Sequence, residues 1–168
     1  VAWRGGLNWL RICDYIAVNV PLAYMLGRLA NFVNGELYGR AVASDFPLAM
    51  VFPTDPDQLP RHPSQLYQAG FEGLLLGLLL LALFWQTRAR YRPGLLVAVF
   101  TIGMGLGRFL MEFFREPDTH LAYVVVETGL SRGQWLSLPM ILIGVVVLVY
   151  ALLRPATGSA GAGKTRPA

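Results

Sequence analysis

The chain has 168 residues, of which 55% are hydrophobic and only 14% are charged, and its formal net charge is +4. Soluble domains carry about 25% charged residues, so this composition and a mean hydropathy of +0.49 indicate an integral membrane protein. The basic residues are divided among separate loops and form no basic, aromatic-interleaved face, which argues against a nucleic-acid partner. The single cysteine excludes an internal disulfide.

Four apolar runs approach the length of about 20 residues that a helix needs to cross a membrane. They lie near 15–33, 66–85, 94–113 and 135–153. Pro21 and Arg28 interrupt the first run, and Arg108 and Glu112 fall in the last third of the third run. The pattern predicts an all-α integral membrane protein with about four transmembrane helices in residues 1–153. The small, polar and basic residues of 154–168 predict a disordered tail.

The distribution of lysine and arginine predicts how these helices are oriented. Basic residues collect in the N-terminal flank, in the loop between the second and third runs, and in the tail: Arg4, Arg11, Arg88, Arg90, Arg92, Arg154, Lys164 and Arg166. Positively charged loops stay on the cytoplasmic side. The loops 34–65 and 114–134 are therefore expected to face outward, and the C-terminus to be cytoplasmic.

Polar residues gather at the predicted outer ends of the first and third runs. Two sets have helical spacing: Arg28, Asn31 and Asn34, and Arg108, Glu112 and Arg115. Each set is predicted to share one helix face. An isolated arginine at this depth can instead extend its head into the lipid headgroups. Two guanidiniums with acceptors in line favour a buried site, and the guanidinium fork matches phosphate oxygens. The spacing thus predicts a site for an anionic phospholipid headgroup.

Other chemical groups give weaker signals. His62, in "RHPSQLYQ", has a pKa range suited to a general base, but a hydrogen-bonded loop histidine between Arg61 and Pro63 is the interpretation we favour. Two distant histidines and one cysteine do not make a metal site, and no cofactor is expected. The glycines of "GMGLG" at 103–107 have the spacing of close helix packing inside a membrane.

The stretch "GRLANFVNGELYGR" closely resembles the signature of the prolipoprotein diacylglyceryl transferases. The likeness continues, in that family's order, through "RHPSQLYQ", "GRFLMEFFREPD" and "LSRGQWLSLPMI". The resemblance implies a bacterial inner-membrane enzyme with a seven-span bundle, of which this chain is expected to be the C-terminal part. Such an enzyme transfers the sn-1,2-diacylglyceryl group of phosphatidylglycerol to the lipobox cysteine of a preprolipoprotein, at the periplasmic side. The product is a thioether, and glycerol 1-phosphate leaves.

The resemblance also implies roles for individual residues. Arg28, Asn31 and Arg108 would bind the phospholipid, with Arg28 on its phosphate. Supporting roles fall to Glu36, Gly39, Asn34, Glu112 and His62. The chain departs from the family pattern at Ala30, Tyr38 and Met104, where glycine, tryptophan and tyrosine are common.

Two further expectations concern the whole protein. The chain offers no convincing base for the substrate thiol, because the family's proposed base lies in N-terminal spans, so we expect this chain alone to be inactive. A non-catalytic phospholipid-binding membrane protein is the alternative. A transporter is disfavoured because the sequence has no internal repeat and its polar site lies at the outer edge.

Overall fold

The computed structural model describes residues 8–115 and 129–156, and within them it contains four long helices and a small antiparallel hairpin. The helices are α1 (Trp9–Val33), α2 (Ser64–Gln86), α3 (Leu95–Met111) and α4 (Arg132–Leu153). The hairpin pairs β1 (Met50–Val51) with β2 (Pro60–Arg61) in the loop between α1 and α2. A 3-10 turn at Ala89–Tyr91 leads from α2 to α3.

All four predicted spans are confirmed as helices. By length and composition, α1, α2 and α4 can each cross a membrane, and α3 is a shorter apolar helix of 17 residues. The helix α1 begins at Trp9, ahead of the predicted start near 15, because Asn8 caps it by accepting a hydrogen bond from the Leu10 N–H at 3.1 Å. Several predicted features lie outside the described residues: Arg4, the middle of the outward loop at 116–128, and the tail from 157 onward.

Glycines let α3 pack closely against α4 and α2. A Cβ atom at Gly105 would lie 2.6 Å from Ile141 of α4, and one at Gly103 would lie 2.5 Å from Leu76 of α2. Neither position has room for a side chain, so the helices approach as small residues allow in membranes. The interpretation of "GMGLG" as a packing motif is confirmed.

At one end of the bundle, which we call the capped end, a buried carboxylate has its hydrogen-bond partners. The Asp14 carboxylate of α1 accepts hydrogen bonds from the backbone N–H groups of Gly94 and Val97, each at 2.8 Å, and so caps the start of α3. Arg92 donates to the Leu152 carbonyl at 3.1 Å, near the end of α4. Gly94 has φ +97, a conformation that favours glycine.

The opposite end, which we call the motif end, contains the C-termini of α1 and α3 and the N-termini of α2 and α4. A capping box starts α4: the Gln134 N–H donates to the Ser131 hydroxyl at 3.2 Å, and the Ser131 N–H donates to the Gln134 amide oxygen at 2.9 Å. The Gln134 side chain also donates to the Phe109 carbonyl at 3.5 Å, which ties α4 to the last turn of α3. The sequence motifs are thus brought together at one end.

Candidate functional site

Two arginines, Arg28 and Arg108, reach the motif end from different helices. Arg28 lies on α1, with its guanidinium carbon 4.9 Å from the centroid of the Tyr24 ring, and Arg108 lies in the last turn of α3. Neither arginine has a carboxylate within ion-pairing distance among residues 8–115 and 129–156, where the ion pairs involve Arg61. Both act electrostatically on one carboxylate, that of Glu72, so the two helices direct positive charge toward the same region.

Glu72 is the residue of this region that the sequence analysis missed. It lies on α2 within a π-helical stretch, Ala69–Leu75, and its side chain is completely buried. Both carboxylate oxygens lack a regular hydrogen bond to any described residue. The sequence does mark Glu72, because it is the single acid in an otherwise uncharged run, "LYQAGFEGLLLGLLLLALFW". Intramembrane acids are rare enough that this one alone would have justified a functional hypothesis.

The segment "NGE" ends α1 with a Schellman motif. The Glu36 N–H donates to the Asn31 carbonyl at 2.9 Å and the Gly35 N–H donates to the Phe32 carbonyl at 3.1 Å. Gly35 adopts φ +69, so its lack of a side chain permits the turn. The Schellman motif therefore explains why a glycine stands directly after the end of α1.

The predicted set of Arg28, Asn31 and Asn34 separates into two environments. Arg28 and Asn31 are half-buried, whereas Asn34 is exposed at the C-cap of α1. Asn34 lines a cavity of about 450 Å³ between the end of α1 and the hairpin, together with Phe52 and Thr54. The side-chain amides of Asn31 and Asn34 make no hydrogen bond within the part of the chain that the structure describes, so their donors are available.

The "RHPSQ" segment at the start of α2 anchors the loop that follows α1. The Gln65 side chain donates to the Glu36 carbonyl at 2.6 Å, and the Ser64 hydroxyl donates to the Leu37 carbonyl at 3.0 Å. Leu37 has φ +56, which is unfavourable for leucine and is held by these bonds. The Glu36 carboxylate points into solvent and makes no hydrogen bond to a described residue, so its backbone, not its side chain, fixes the loop.

Gly39 lies where three of the sequence motifs meet. Its N–H donates to the His62 carbonyl at 2.9 Å, and it pairs with Arg115 in an isolated antiparallel bridge. A Cβ atom at Gly39 would lie 2.4 Å from the Phe114 carbonyl oxygen and 2.8 Å from that of His62. Gly39 is therefore required by the close approach of two other backbone segments.

His62 is packed among aromatic rings at the motif end. Its ring centroid lies 4.8 Å from that of Phe46 and 5.5 Å from that of Phe114. Its Nδ1 atom lies 3.3 Å from the Tyr67 hydroxyl, and its backbone bonds to Gly39 and Arg40. These are the contacts of the hydrogen-bonded loop histidine that the sequence analysis favoured, and a role as general base stays a prediction.

Arg115 does not share the helix face predicted for Arg108, Glu112 and Arg115. The helix α3 ends at Met111, and Glu112 follows as its C-cap with its carboxylate against the Gly133 backbone of α4. Arg115 lies beyond the helix, where its carbonyl accepts a hydrogen bond from Arg40 Nε at 2.7 Å. The prediction of one face for Arg108, Glu112 and Arg115 is wrong for Arg115, because the chain turns away from α3 to pair with Gly39.

The hairpin outside the helices is braced by a buried ion pair. Arg61 Nε donates to Asp55 at 2.5 Å, and the Arg61 guanidinium also lies 4.9 Å from the Tyr38 ring centroid. The hydrogen bond from Arg61 holds the pKa of Asp55 below its usual range. This pair has complete partners, so we assign it to the stability of the hairpin that carries the cavity at Asn34.

Chemically, the motif end offers unused donors around a buried carboxylate. Two guanidiniums and the Asn31 amide supply hydrogen-bond donors and positive charge, which suit a phosphate group. No group of three or more metal-ligating side chains occurs among the described residues. The arrangement can therefore hold an anion at the motif end by direct hydrogen bonds.

Comparison with known proteins identifies the family. A family model described as "Prolipoprotein diacylglyceryl transferase" matches residues 1–150. Three similar relatives bear the name "Phosphatidylglycerol--prolipoprotein diacylglyceryl transferase". The one from Erythrobacter litoralis is 69% identical over 159 residues, covering 95% of this chain and 56% of that protein.

The other two come from Bradyrhizobium diazoefficiens, 46% identical over 155 residues, and Zymomonas mobilis, 50% identical over 148 residues. They cover 92% and 88% of this chain, and 54% and 50% of their own lengths. The chain thus spans about half the length of the curated relatives it matches. Its helices and its family make it a membrane protein, and the chain belongs to the prolipoprotein diacylglyceryl transferase family.

Proposed function

We propose that the protein to which this chain belongs transfers the diacylglyceryl group of phosphatidylglycerol to the lipobox cysteine of a preprolipoprotein. The names of the relatives support both substrates. The observation that carries the proposal is the convergence of Arg28 and Arg108, both without ion-pair partners among the described residues, on one region of the motif end. An anionic headgroup is the partner whose charge and shape those guanidiniums fit.

The reaction explains why two arginines are useful. The cysteine sulfur forms a bond to the terminal glycerol carbon of the diacylglyceryl group, and the bond from that carbon to the phosphate oxygen breaks. The electron pair of the broken bond leaves with glycerol 1-phosphate, and the thiol proton passes to a base. Negative charge therefore grows on the leaving oxygen, where positioned cations stabilise the transition state.

In this proposal the site residues act as a group. Arg28, Asn31 and Arg108 bind the phosphatidylglycerol headgroup, with Arg28 on the phosphate. The loop residues Glu36 and Gly39 keep the end of α1 in place, which the backbone bonds of that loop support. The remaining supporting positions are Asn34, Glu112 and His62.

We further propose that the protein resides in the bacterial inner membrane with the motif end toward the periplasm and the C-terminus in the cytoplasm. The arginines of the loop between α2 and α3 lie at the capped end, which supports this orientation. The phospholipid acyl chains can then stay in the bilayer while the headgroup enters the site from its outer leaflet.

Complementation tests this function. A bacterium depleted of its own transferase receives the gene for the full-length protein that contains this chain, either wild type or with Arg28→Ala. Transfer to a lipobox peptide is also measured with the purified full-length protein. We expect the wild type to restore growth and transfer, and Arg28→Ala to lose both. Arg88→Ala, which removes an exposed arginine at the capped end, is the matched control and should behave as wild type.

Two outcomes would contradict the proposal. Equal rescue by Arg28→Ala would remove the role of Arg28. A wild type that binds phosphatidylglycerol but attaches no diacylglyceryl group would instead leave a non-catalytic phospholipid-binding protein.

A further inference from the structure

Glu72 is buried in a way that needs an explanation. Its side chain is 0% exposed, and both of its carboxylate oxygens lack a regular hydrogen bond to any described residue. A buried carboxylate without partners is strongly unfavourable, and proteins keep such groups where function requires them. Asp14, the acid of α1 at the capped end, is also buried but accepts two backbone hydrogen bonds.

The local backbone is built to hold this carboxylate. The π-helical stretch Ala69–Leu75 inserts a wider turn into α2, a feature often found at functional sites. On the facing helix, a Cβ atom at Gly107 would lie 2.6 Å from Glu72 Cγ, so only glycine leaves room for the side chain there. On the other side, Gly73 lets α1 approach at Met25, where a Cβ atom would lie 2.5 Å from the Met25 Cβ.

The surroundings of the carboxylate connect it to both arginines. The Tyr24 hydroxyl lies beside it, outside the distance or angle of a regular hydrogen bond, and the Tyr24 ring stacks on the Arg28 guanidinium. Arg108 acts on the same carboxylate from α3, and Glu112 adds a second negative charge nearby.

We propose that Glu72 is a positioning residue of this site. Its buried negative charge fixes Arg28, through Tyr24, and Arg108, so that both guanidiniums grip one phospholipid phosphate. The inference deepens the proposed function and rests on it only for the identity of the lipid. Coulomb's law alone makes the opposite prediction, because removing a negative charge near a phosphate site should strengthen phosphate binding.

Binding and transfer measurements on the complete purified protein test this role. Short-chain phosphatidylglycerol is titrated against wild type, Glu72→Gln and Glu72→Asp, with phosphatidylcholine of the same chain length as the lipid control. We expect Glu72→Gln to bind phosphatidylglycerol about tenfold or more weakly, as buried charge partners do when neutralised. Glu72→Asp keeps the charge and should retain more affinity than Glu72→Gln, although it fills the space less well.

A role limited to packing would give the reverse order, since Gln has the shape of Glu. Glu72→Gln with wild-type or tighter lipid binding would overturn the inference. Asp45→Asn, which removes an exposed acid from the loop after α1, should change nothing. Should Glu72→Gln fail to fold, Tyr24→Phe keeps the stacked ring and removes the hydroxyl. It should weaken binding by a smaller factor, and wild-type binding by Tyr24→Phe would contradict the route through Tyr24.

The two proposals fail in distinguishable ways. If the wild type binds phosphatidylglycerol and Glu72→Gln does not, the positioning role is supported. This holds even if the wild type shows no transfer, in which case the proposed function is wrong. If Glu72→Gln keeps full transfer activity and full lipid affinity, the positioning role is wrong and the proposed function is unaffected.

Discussion

The buried acids at the two ends of the helical bundle, Asp14 and Glu72, have opposite hydrogen-bonding environments. At the capped end, Asp14 accepts two hydrogen bonds from the start of α3, and Arg92 donates to the Leu152 carbonyl. At the motif end, Arg28 and Arg108 have no ion-pair partner within the described ranges, and Glu72 has no regular hydrogen bond there. Because buried polar groups are normally satisfied, the difference separates structural polarity from polarity kept for a ligand.

The same distinction applies within the motif end. The backbone of the loop at 36–39 is held by hydrogen bonds to the Gln65 side chain, the Ser64 hydroxyl and the His62 carbonyl. The side chains of Asn31 and Arg108, by contrast, make no hydrogen bond to any residue that the structure describes. The motifs therefore have two tasks: some residues build a rigid frame, and others present unused donors inside it.

The first and largest predicted effect is expected for Arg108, one of the two arginines at the motif end. Arg108→Ala should lower transfer by about 100-fold or more, the range seen when a donor to a developing negative charge is removed. Because Arg108 has no ion-pair partner among the described residues, the free energy of unfolding should change by about 0.5 kcal/mol or less. Transfer to a lipobox peptide and thermal unfolding in detergent measure the two quantities.

A large loss of stability in Arg108→Ala would show that this arginine is structural. The motif end would then not differ from the capped end in keeping polar groups for a ligand. Arg108→Lys separates the effect of charge from that of shape, since lysine keeps the positive charge but loses the planar guanidinium fork. Its transfer rate should lie between those of wild type and Arg108→Ala.

The second effect belongs to the capped end. Asp14→Ala leaves the N–H groups of Gly94 and Val97 without their acceptor, which costs about 1–3 kcal/mol of unfolding free energy. The protein that remains folded should transfer at the wild-type rate, because Asp14 lies at the other end of the bundle. Asp14→Asn keeps one acceptor oxygen and should lose less stability, and a loss of transfer without a loss of stability would contradict the assignment.

Much of this architecture follows from the sequence. Hydropathy alone located the four helices, because a span needs a long apolar run whatever its packing. Helical spacing and charge placed Arg28, Asn31, Arg108 and Glu112 at one end. The ends of the helices were less predictable: Arg115 leaves the face of α3 because its backbone pairs with Gly39, a contact 76 residues away in the chain.

Glu72 was missed for a different reason. Its neighbours in sequence are apolar, so no motif or helical repeat marks it, and its polar neighbours come from α1 and α3. The π-helical stretch that carries it has no sequence signature of its own. The burial of Asp14 and its cap on α3 likewise depend on two helices meeting, which a single sequence does not reveal.

The third effect tests the frame of the motif end. Gly39→Ala places a methyl group 2.4 Å from the Phe114 carbonyl oxygen, and overpacking of this kind costs about 1–3 kcal/mol. The loss should be confined to the loop and hairpin, so hydrogen exchange of residues 34–63 should rise while that of α4 stays unchanged. Gly27→Ala is the matched control: nothing lies within 4 Å of that Cβ position, and alanine there should stabilise α1 by about 0.5–1 kcal/mol.

The smallest effect concerns the hairpin ion pair and its dependence on pH. Arg61 lowers the pKa of Asp55, so the pair stabilises the hairpin fully above the unfolded-state pKa of about 3.9. That stability is lost as the pH falls from there through the lower folded-state pKa, because the unfolded chain takes up the proton first. Pepsin cleavage within residues 50–61 should therefore be slower in the wild type than in Asp55→Asn at pH 4.5, and this difference should shrink at pH 2.5. Asp45→Asn, which keeps the pair, should match the wild type at both pH values. Asp55→Asn should be cleaved readily at both pH values. Equal protection of Asp55→Asn and wild type at pH 4.5 would mean that this pair, although buried, adds nothing to the stability of the hairpin.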